Sequence, residues 1–152
     1  MAADIGDDAP DFTLKSTQGD PVTLSELRGT PVVLVFHPFS FTGVCEGELC
    51  AIRDDYTPFE SAGAQVLVLS CDPAPSQKAW AEQQGWTFPV LSDFWPHGEV
   101  AKAYGAFNDA LGCANRVTVV IDGSGKVVDR FDTPDLKTAR TGERYAEAMT
   151  KL

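Results

Sequence analysis

Residues 31–50 read PVVLVFHPFSFTGVCEGELC, and we expect the rest of the chain to be organised around this stretch. The apolar, β-branched run at residues 31–36 predicts a buried strand. A short loop containing proline and glycine follows, and the composition of residues 45–60 favours a helix. The loop therefore brings Cys45 to about the first turn of that helix. Unpaired backbone N–H groups and the helix dipole favour an anion there, so the sequence predicts a reactive cysteine.

The composition limits the functions that the chain can have. Its 152 residues are typical of one domain, and we expect a single domain over residues 1–152. The net charge of −10 argues against nucleic acid as a partner, because phosphate binding needs clustered Lys and Arg. No basic amphipathic segment suggests a membrane surface, and no apolar run approaches the ~20 residues of a spanning helix. The acidic N-terminus lacks an apolar signal region, so we expect a cytoplasmic protein.

The cysteines predict redox chemistry and no metal site. They are Cys45, Cys50, Cys71 and Cys113. They form no Cys-x-x-Cys pair, and the chain has 2 histidines, so we expect neither a zinc site nor a cofactor. In a cytoplasmic protein these thiols stay mostly reduced, and a disulfide is catalytic or transient. Cys71 ends an apolar run, and we interpret it as a small buried hydrophobe.

The order of the other segments predicts an α/β fold. Residues 11–14 and 22–24 flank a polar stretch and predict an N-terminal β-hairpin. Further strands are expected at residues 65–71, 88–91, 116–121 and 126–131, the last two as a hairpin. Further helices are expected at residues 76–84, 99–104 and about 135–152. This order suits a central mixed β-sheet flanked by helices.

A strand that leads to a cysteine at the start of a helix is also the arrangement of the thioredoxin fold. The motif Pro38-x-x-x-Thr42-x-x-Cys45 resembles the active-site motif of the peroxiredoxins. Residues 9–14, APDFTL, resemble the N-terminal signature of that family. Residues 36–48 and 92–108 are most similar to the AhpE-type peroxiredoxins of actinobacteria.

The resemblance implies a thiol-dependent peroxidase that reduces hydrogen peroxide and organic hydroperoxides. Cys45 would be the peroxidatic nucleophile, whose thiolate attacks a peroxide oxygen and becomes a sulfenic acid. Thr42 and Arg116 would aim donors at the thiolate and the peroxide. Pro38, which has no N–H, would keep water from the sulphur. Glu48, three residues after the cysteine, would orient an arginine.

Each of these residues taken singly also has an ordinary structural role, as a cap, a loop proline or a surface arginine. Their combination in this order favours the functional interpretation.

His37 replaces the aromatic residue common before the motif proline. An imidazole at this position would titrate near neutral pH, although we favour a polar or stacking role for it.

Cys50 leaves open how the sulfenic acid is resolved. AhpE-type sequences lack a cysteine there and use an external thiol. A resolving cysteine five residues after the peroxidatic cysteine instead resembles the pattern of the PrxQ-type peroxiredoxins. In an intact helix these Cα atoms lie about 8.7 Å apart, beyond the roughly 7 Å that a disulfide spans. A Cys45–Cys50 bond would therefore require unwinding, which Gly43 and Gly47 would ease. Cys113 and an external thiol are the alternatives.

The resemblance leaves the reductant open between thioredoxin and mycoredoxin with a low-molecular-weight thiol. We expect a homodimer through the edge near the active-site loops, involving Phe94 and Trp95.

Two other functions compete with the peroxidase. A thioredoxin-like disulfide oxidoreductase normally needs Cys-x-x-Cys, but Thr42 stands where the first cysteine would be. A redox sensor would pass its oxidation to a partner protein.

Overall fold

The computed structural model describes residues 2–152 and places residues 31–50 at the centre of a sheet. Met1, the first residue of the predicted domain, lies outside the described residues. Strand β3 (Val32–Phe36) is buried along its whole length and pairs in parallel with β4 (Gln65–Ser70). Strands covered on both faces are continuously apolar, which explains why these two runs were recognisable in the sequence.

The remaining strands extend this sheet on both sides. They are β1 (Thr13–Ser16), β2 (Val22–Thr23), β5 (Val90–Ser92), β8 (Val117–Ile121) and β9 (Val127–Asp132). The strand order is β2-β1-β5-β4-β3-β8-β9, with β3, β4 and β5 parallel and the other pairings antiparallel. The predicted mixed sheet and N-terminal hairpin are therefore confirmed. Two short strands, β6 (Phe107–Asn108) and β7 (Cys113–Ala114), form a separate pair that the sequence did not indicate.

Helices cover both faces of the sheet. They are α1 (Gly43–Asp54), α2 (Thr57–Ser61), α3 (Ala74–Gln84), α4 (Glu99–Ala103) and α5 (Gly142–Met149). Alternate residues of β3 enter different cores, since Leu34 and Phe36 pack in one cluster and Val33 and Val35 in the other. The second cluster also contains Cys45, so α1 carries this cysteine on its buried face. Within residues 2–152, no helix has the length and apolar character needed to cross a bilayer.

The helix predicted over residues 45–60 is wrong as a single element. It ends at Asp54, Asp55 has non-helical torsion angles of φ −135° and ψ 85°, and α2 then begins separately. Pro58 explains the break, because a proline has no N–H to donate to the carbonyl of Asp54 in a continuous helix. The break leaves α1 long enough to carry Cys45 and Cys50 on one rigid segment.

The helix predicted over residues 135–152 is also too long. The Asp135 carboxylate accepts hydrogen bonds from the Lys137 N–H at 2.8 Å and the Thr138 hydroxyl at 3.0 Å. Such local bonds hold a turn in place of helix. Helix α5 begins later, where the side chain of Thr141 accepts a hydrogen bond from the Arg144 N–H. The intervening segment is thereby free to run towards α1.

Candidate active site

The start of α1 determines the position of Cys45. Thr42 is the N-terminal cap residue, so Cys45 is the third helical residue, as expected from the sequence. Its side chain is 0% exposed. The Thr42 hydroxyl donates to the Phe39 carbonyl at 2.7 Å rather than capping the helix. Because the hydroxyl has one proton, donation to the sulphur requires it to rotate away from that carbonyl.

The surroundings of Cys45 favour its thiolate form. Burial of the sulphur is the largest single influence and disfavours its charged form, but His37, the Thr42 hydroxyl and the Phe39 backbone together outweigh it. These interactions lower the pKa of Cys45 from 9.0 to about 6. The group therefore has the ionisation state required of a thiol nucleophile.

Arg116 joins Cys45 to Glu48. Its Nη1 atom donates to the Cys45 sulphur at 3.2 Å and to Glu48 Oε1 at 2.7 Å. Its Nε atom donates to the Leu136 carbonyl at 2.8 Å, which fixes the plane of the guanidinium. The structure thus brings together three residues that the sequence singled out. Arg116 is 71 positions from Cys45 and 68 positions from Glu48 along the chain.

Arg140 is part of the same buried network and was missed in the sequence. Its Nη2 and Nε atoms donate to the two carboxylate oxygens of Glu48, each at 2.9 Å, and its Nη1 atom donates to the Thr118 hydroxyl at 3.1 Å. Burial raises the pKa of Glu48, but Arg140 and then Arg116 hold it below its usual value. Arg140 lies in the segment that the sequence assigned to a helix, and no sequence signal distinguished it from the other polar residues there.

The buried charges of this network balance when Cys45 is ionised. Arg116, Arg140 and Glu48 are 4%, 7% and 5% exposed, and they carry two positive charges and one negative charge. An unbalanced buried charge is costly, so the network favours one further anion. The Cys45 thiolate supplies it.

The loop that carries Pro38 is held in one conformation. Pro38 is buried, and the next residues turn outward, with Phe39 41% and Phe41 56% exposed. Ser40 donates from its N–H and its hydroxyl to one oxygen of Asp72, at 2.9 and 2.8 Å. Phe41 has φ 62°, the only positive value at a non-glycine residue among residues 2–152. A strained residue of this kind persists only where surrounding contacts hold it, and such residues occur frequently at active sites.

The four cysteines are free thiols in different environments. Cys50 is partly exposed, and its Sγ atom lies 3.5 Å from Gln84 Oε1, within intact α1. Burial and the nearby Asp93 charge raise the pKa of Cys71 to about 12. Burial and the nearby Cys45 raise the pKa of Cys113. Within residues 2–152, no three His, Cys, Asp or Glu side chains are grouped to hold a metal ion.

The chain matches a known family over most of its length. The sequence profile of the AhpC/TSA family covers residues 5–130. The chain belongs to the AhpC/TSA family. Its resemblance to the peroxiredoxins is therefore confirmed, and members of the family are found among its relatives by sequence and by structure.

Relatives of this AhpC/TSA chain by sequence include both types suggested by its motifs. It is 52% identical to alkyl hydroperoxide reductase E of Mycobacterium tuberculosis over 122 residues, which cover 80% of each chain. It is 41% identical to the chloroplastic peroxiredoxin Q of Sedum lineare over 123 residues, which cover 80% of this chain and 65% of the relative.

Solved structures of AhpC/TSA proteins confirm the thioredoxin-like fold. Peroxidoxin BcpB of M. tuberculosis superimposes with a TM-score of 0.84 at 31% identity, covering 97% of both chains. AhpC of Enterococcus faecalis superimposes with a TM-score of 0.88 at 24% identity, covering 99% of this chain and 92% of the other.

Proposed function

We propose that this protein is a thiol-dependent peroxidase in which Cys45 reduces hydrogen peroxide and organic hydroperoxides. The observation that carries the proposal is the buried Cys45 thiolate with Arg116 Nη1 3.2 Å away. The thiolate attacks the terminal peroxide oxygen, the O–O bond breaks, and Cys45 becomes a sulfenic acid. The departing hydroxide or alkoxide takes a proton from solvent and leaves as water or an alcohol. The names and similarity of the family relatives support this reaction class.

Arg116 and Thr42 stabilise the charge that moves during this attack. Negative charge passes from the sulphur to the departing oxygen, so donors along that line lower the barrier. The Arg116 guanidinium is already directed at the sulphur and stays charged at any working pH. The Thr42 hydroxyl reaches the peroxide after it rotates away from Phe39. Pro38 restricts water at the sulphur, because it presents no N–H.

Glu48 acts by positioning Arg116. Its carboxylate accepts hydrogen bonds from two guanidinium groups, so Arg116 keeps one orientation even when the sulphur changes its charge. Arg140 and Arg116 lower the pKa of Glu48 despite its burial, which suits a permanent anion rather than a base. Arg140 in turn fixes Glu48 through both carboxylate oxygens.

Cys50 is our candidate for the resolving thiol. It attacks the Cys45 sulfenic sulphur, a disulfide forms, and water leaves. Cys50 is partly exposed, whereas the alternative Cys113 is buried with a raised pKa, which disfavours its thiolate. The reaction requires the start of α1 to unwind, because the intact helix separates the two Cα atoms by about 8.7 Å. An external thiol takes this role if α1 stays folded.

The partners follow from the same chemistry. A disulfide or sulfenic acid at Cys45 needs a thiol reductant, either thioredoxin or mycoredoxin with a low-molecular-weight thiol. We place the enzyme in the cytoplasm, where such reductants keep thiols reduced. Phe94 and Trp95 are 46% and 80% exposed, which supports a homodimer through this edge.

Peroxide consumption with each reductant in turn tests the proposed activity. Cys45→Ser should abolish consumption, while Cys71→Ala, a matched change at a buried cysteine, should retain it. An insulin-reduction assay without peroxide separates the alternative oxidoreductase. Rapid insulin reduction combined with slow peroxide consumption would overturn the peroxidase assignment. A slow peroxide reaction that is insensitive to Arg116→Ala would instead favour a redox sensor.

A further inference from the structure

Gln84, the last residue of α3, is bonded to three residues of α1. Its Nε2 atom donates to Glu46 Oε1 at 2.8 Å, and its Oε1 atom lies 3.5 Å from Cys50 Sγ. Its backbone carbonyl accepts from Arg53 Nη1 at 2.6 Å. These three partners follow one another at helical spacing, so they form one stripe along the face of α1. One residue of α3 therefore holds the helix on both sides of the segment that separates the two candidate redox cysteines.

The directions of these hydrogen bonds depend on the protonation of Cys50. The ionised Glu46 carboxylate only accepts, so the Gln84 amide turns its N–H groups towards it. The amide oxygen then faces Cys50, and because a carbonyl oxygen also only accepts, the sulphur has to supply the proton. The arrangement is thus complete only when Cys50 is a neutral thiol. A thiolate in this place would face the negative end of the amide dipole.

Trp80, one turn earlier in α3, binds the same carboxylate. Its Nε1 atom donates to Glu46 Oε1 at 3.5 Å, and its ring packs on Phe41 and His37, with centroids 5.8 and 5.6 Å away. The ring of His37 thus stacks on an indole, while neither of its nitrogens has a hydrogen-bond partner among residues 2–152. Trp80 is 1% exposed and is fixed by the core, whereas Gln84 is half-buried. Gln84 is therefore the α3 residue that can release α1.

A disulfide between Cys45 and Cys50 is incompatible with these bonds. The two Cα atoms lie about 8.7 Å apart in an intact helix, and a disulfide spans roughly 7 Å. Unwinding of the segment between them moves Glu46 and Cys50 away from the Gln84 amide. Arg53 lies beyond that segment and keeps its bond to the Gln84 carbonyl. The two side-chain bonds of Gln84 therefore have to break before the sulphur atoms can meet.

We propose that Gln84 is a positioning residue that restrains the resolution step: its amide keeps Cys50 protonated and α1 folded, and its release permits the disulfide to form. The restraint preserves the folded α1 that holds Cys45 beside Arg116 for the reaction with peroxide. The kinetic part of this inference rests on the proposed resolution of the Cys45 sulfenic acid by Cys50.

The restrained step balances without a further oxidant or reductant. Cys50 loses its proton to solvent, and an electron pair of its thiolate forms the bond to the Cys45 sulphur. The S–O bond of the sulfenic acid breaks with both electrons on oxygen. The hydroxide takes up a proton and leaves as water. Gln84 exchanges no proton in this step, so it acts through the position and protonation of Cys50.

Infrared spectra of the reduced protein test the restraint without any peroxide. The S–H stretching band of Cys50 is isolated by subtracting the spectrum of the matching Cys50→Ser protein. At pH 7 we expect a hydrogen-bonded band in the wild type and a free-thiol band at higher frequency in Gln84→Met. Methionine is unbranched and of similar length, but it has no amide to accept the proton. Gln83→Met, at the exposed neighbour in α3, is the matched control and should leave the band unchanged.

Two infrared results would overturn the inference. The first is the absence of an S–H band for Cys50 in the wild type, which would mean that the thiol is already ionised. The second is the same band in Gln84→Met as in the wild type, which would mean that the amide does not accept from the thiol. Both results are independent of whether the protein is a peroxidase.

Time-resolved mass spectrometry after one equivalent of hydrogen peroxide tests the kinetic part. Gln84→Met should form the Cys45–Cys50 disulfide about fivefold faster than the wild type, the factor that corresponds to one net hydrogen bond. Formation of the Cys45 sulfenic acid should stay within twofold, because Gln84 bonds to Glu46 and Cys50 and not to the reacting sulphur. Gln83→Met should change neither rate.

The outcomes of this experiment separate the restraint from the proposed function. Equal or slower disulfide formation in Gln84→Met would overturn the restraint. The absence of a Cys45–Cys50 bond in all three proteins would exclude Cys50 as the resolving thiol and overturn the kinetic part with it. A Cys45 that does not react with peroxide would instead contradict the peroxidase function, and the infrared comparison would still decide whether Gln84 binds the thiol.

Discussion

The Nη1 atom of Arg116 donates to the Sγ atom of Cys45 at 3.2 Å, although 71 residues separate the two in the chain. One residue arrives from the start of β8 and the other from the first turn of α1. The contact depends on the antiparallel pairing of β3 with β8, because β3 leads into α1. It places a guanidinium group beside the sulphur of a cysteine at a helix terminus.

Arg116→Lys should therefore impair the first chemical step. A lysine keeps the charge, but its single ammonium cannot reproduce the fork that contacts the sulphur, Glu48 and the Leu136 carbonyl together. We expect the second-order rate constant with hydrogen peroxide, measured by stopped-flow fluorescence, to fall by about 10²-fold. Arg28→Lys, at an exposed arginine, is the control. A rate within twofold of the wild type would argue against a direct role of Arg116.

Glu48→Gln should destabilise the fold strongly. The substitution keeps the shape but removes the carboxylate that Arg116 and Arg140 share, so the Cys45 thiolate alone offsets two buried positive charges. Breaking such an arrangement costs about 3–5 kcal/mol. Denaturant unfolding measures the loss. Glu46→Gln, on the same helix, is the matched control. It removes a more exposed carboxylate that accepts from Gln84, and should cost no more than about 1 kcal/mol. Equal losses for the two variants would contradict the network described here.

The rate at which the Cys45 thiol is alkylated should depend on pH, with a midpoint at the pKa of Cys45. Its pKa is lowered to about 6, so alkylation by iodoacetamide should be half-maximal near that pH and level above pH 7. Cys45→Ser identifies the background from the other thiols. A midpoint above pH 8 would mean that the surrounding groups do not stabilise the thiolate.

The same titration affects stability. Because the folded pKa of about 6 lies below the ordinary 9.0, ionisation of Cys45 stabilises the fold fully above about pH 9 and not below about pH 6. The three-unit difference corresponds to roughly 4 kcal/mol at most. The free energy of unfolding of the reduced wild type should thus rise relative to Cys45→Ser as the pH increases between these values. A constant difference would contradict the linkage.

If Cys50 resolves the Cys45 sulfenic acid, the rate of disulfide formation should depend on how easily α1 unwinds. Gly47 lies between the two cysteines, and a Cβ added there meets nothing within 4 Å. Gly47→Ala should therefore stabilise the helix by about 1 kcal/mol and slow disulfide formation about fivefold. Mass spectrometry after one equivalent of peroxide follows the Cys45–Cys50 bond. Gly142→Ala, in α5, also meets no atom and serves as the control. A persistent sulfenic acid in the wild type would exclude Cys50.

Sequence patterns located most strands and helices but misplaced the end of one helix and the start of another, and they did not indicate the β6–β7 pair. The β-branched runs of β3, β4 and β8 are buried on both faces, so their apolar character alone identified them. Propensity also favoured helix across residues 45–60 and 135–152. Pro58 and the hydrogen bonds of Asp135 override it locally.

By itself, the sequence determined that Cys45 would stand in the first turn of a helix after a buried strand, because that placement depends on local patterns. Arg140 and the unpaired ring of His37 could not be inferred in the same way. Their meaning depends on which groups surround them after β3, β8 and the segment before α5 have packed together. Tertiary structure decided the charge balance of the site, because the energetic cost of burying a charge or an unpaired nitrogen depends on which groups lie next to it.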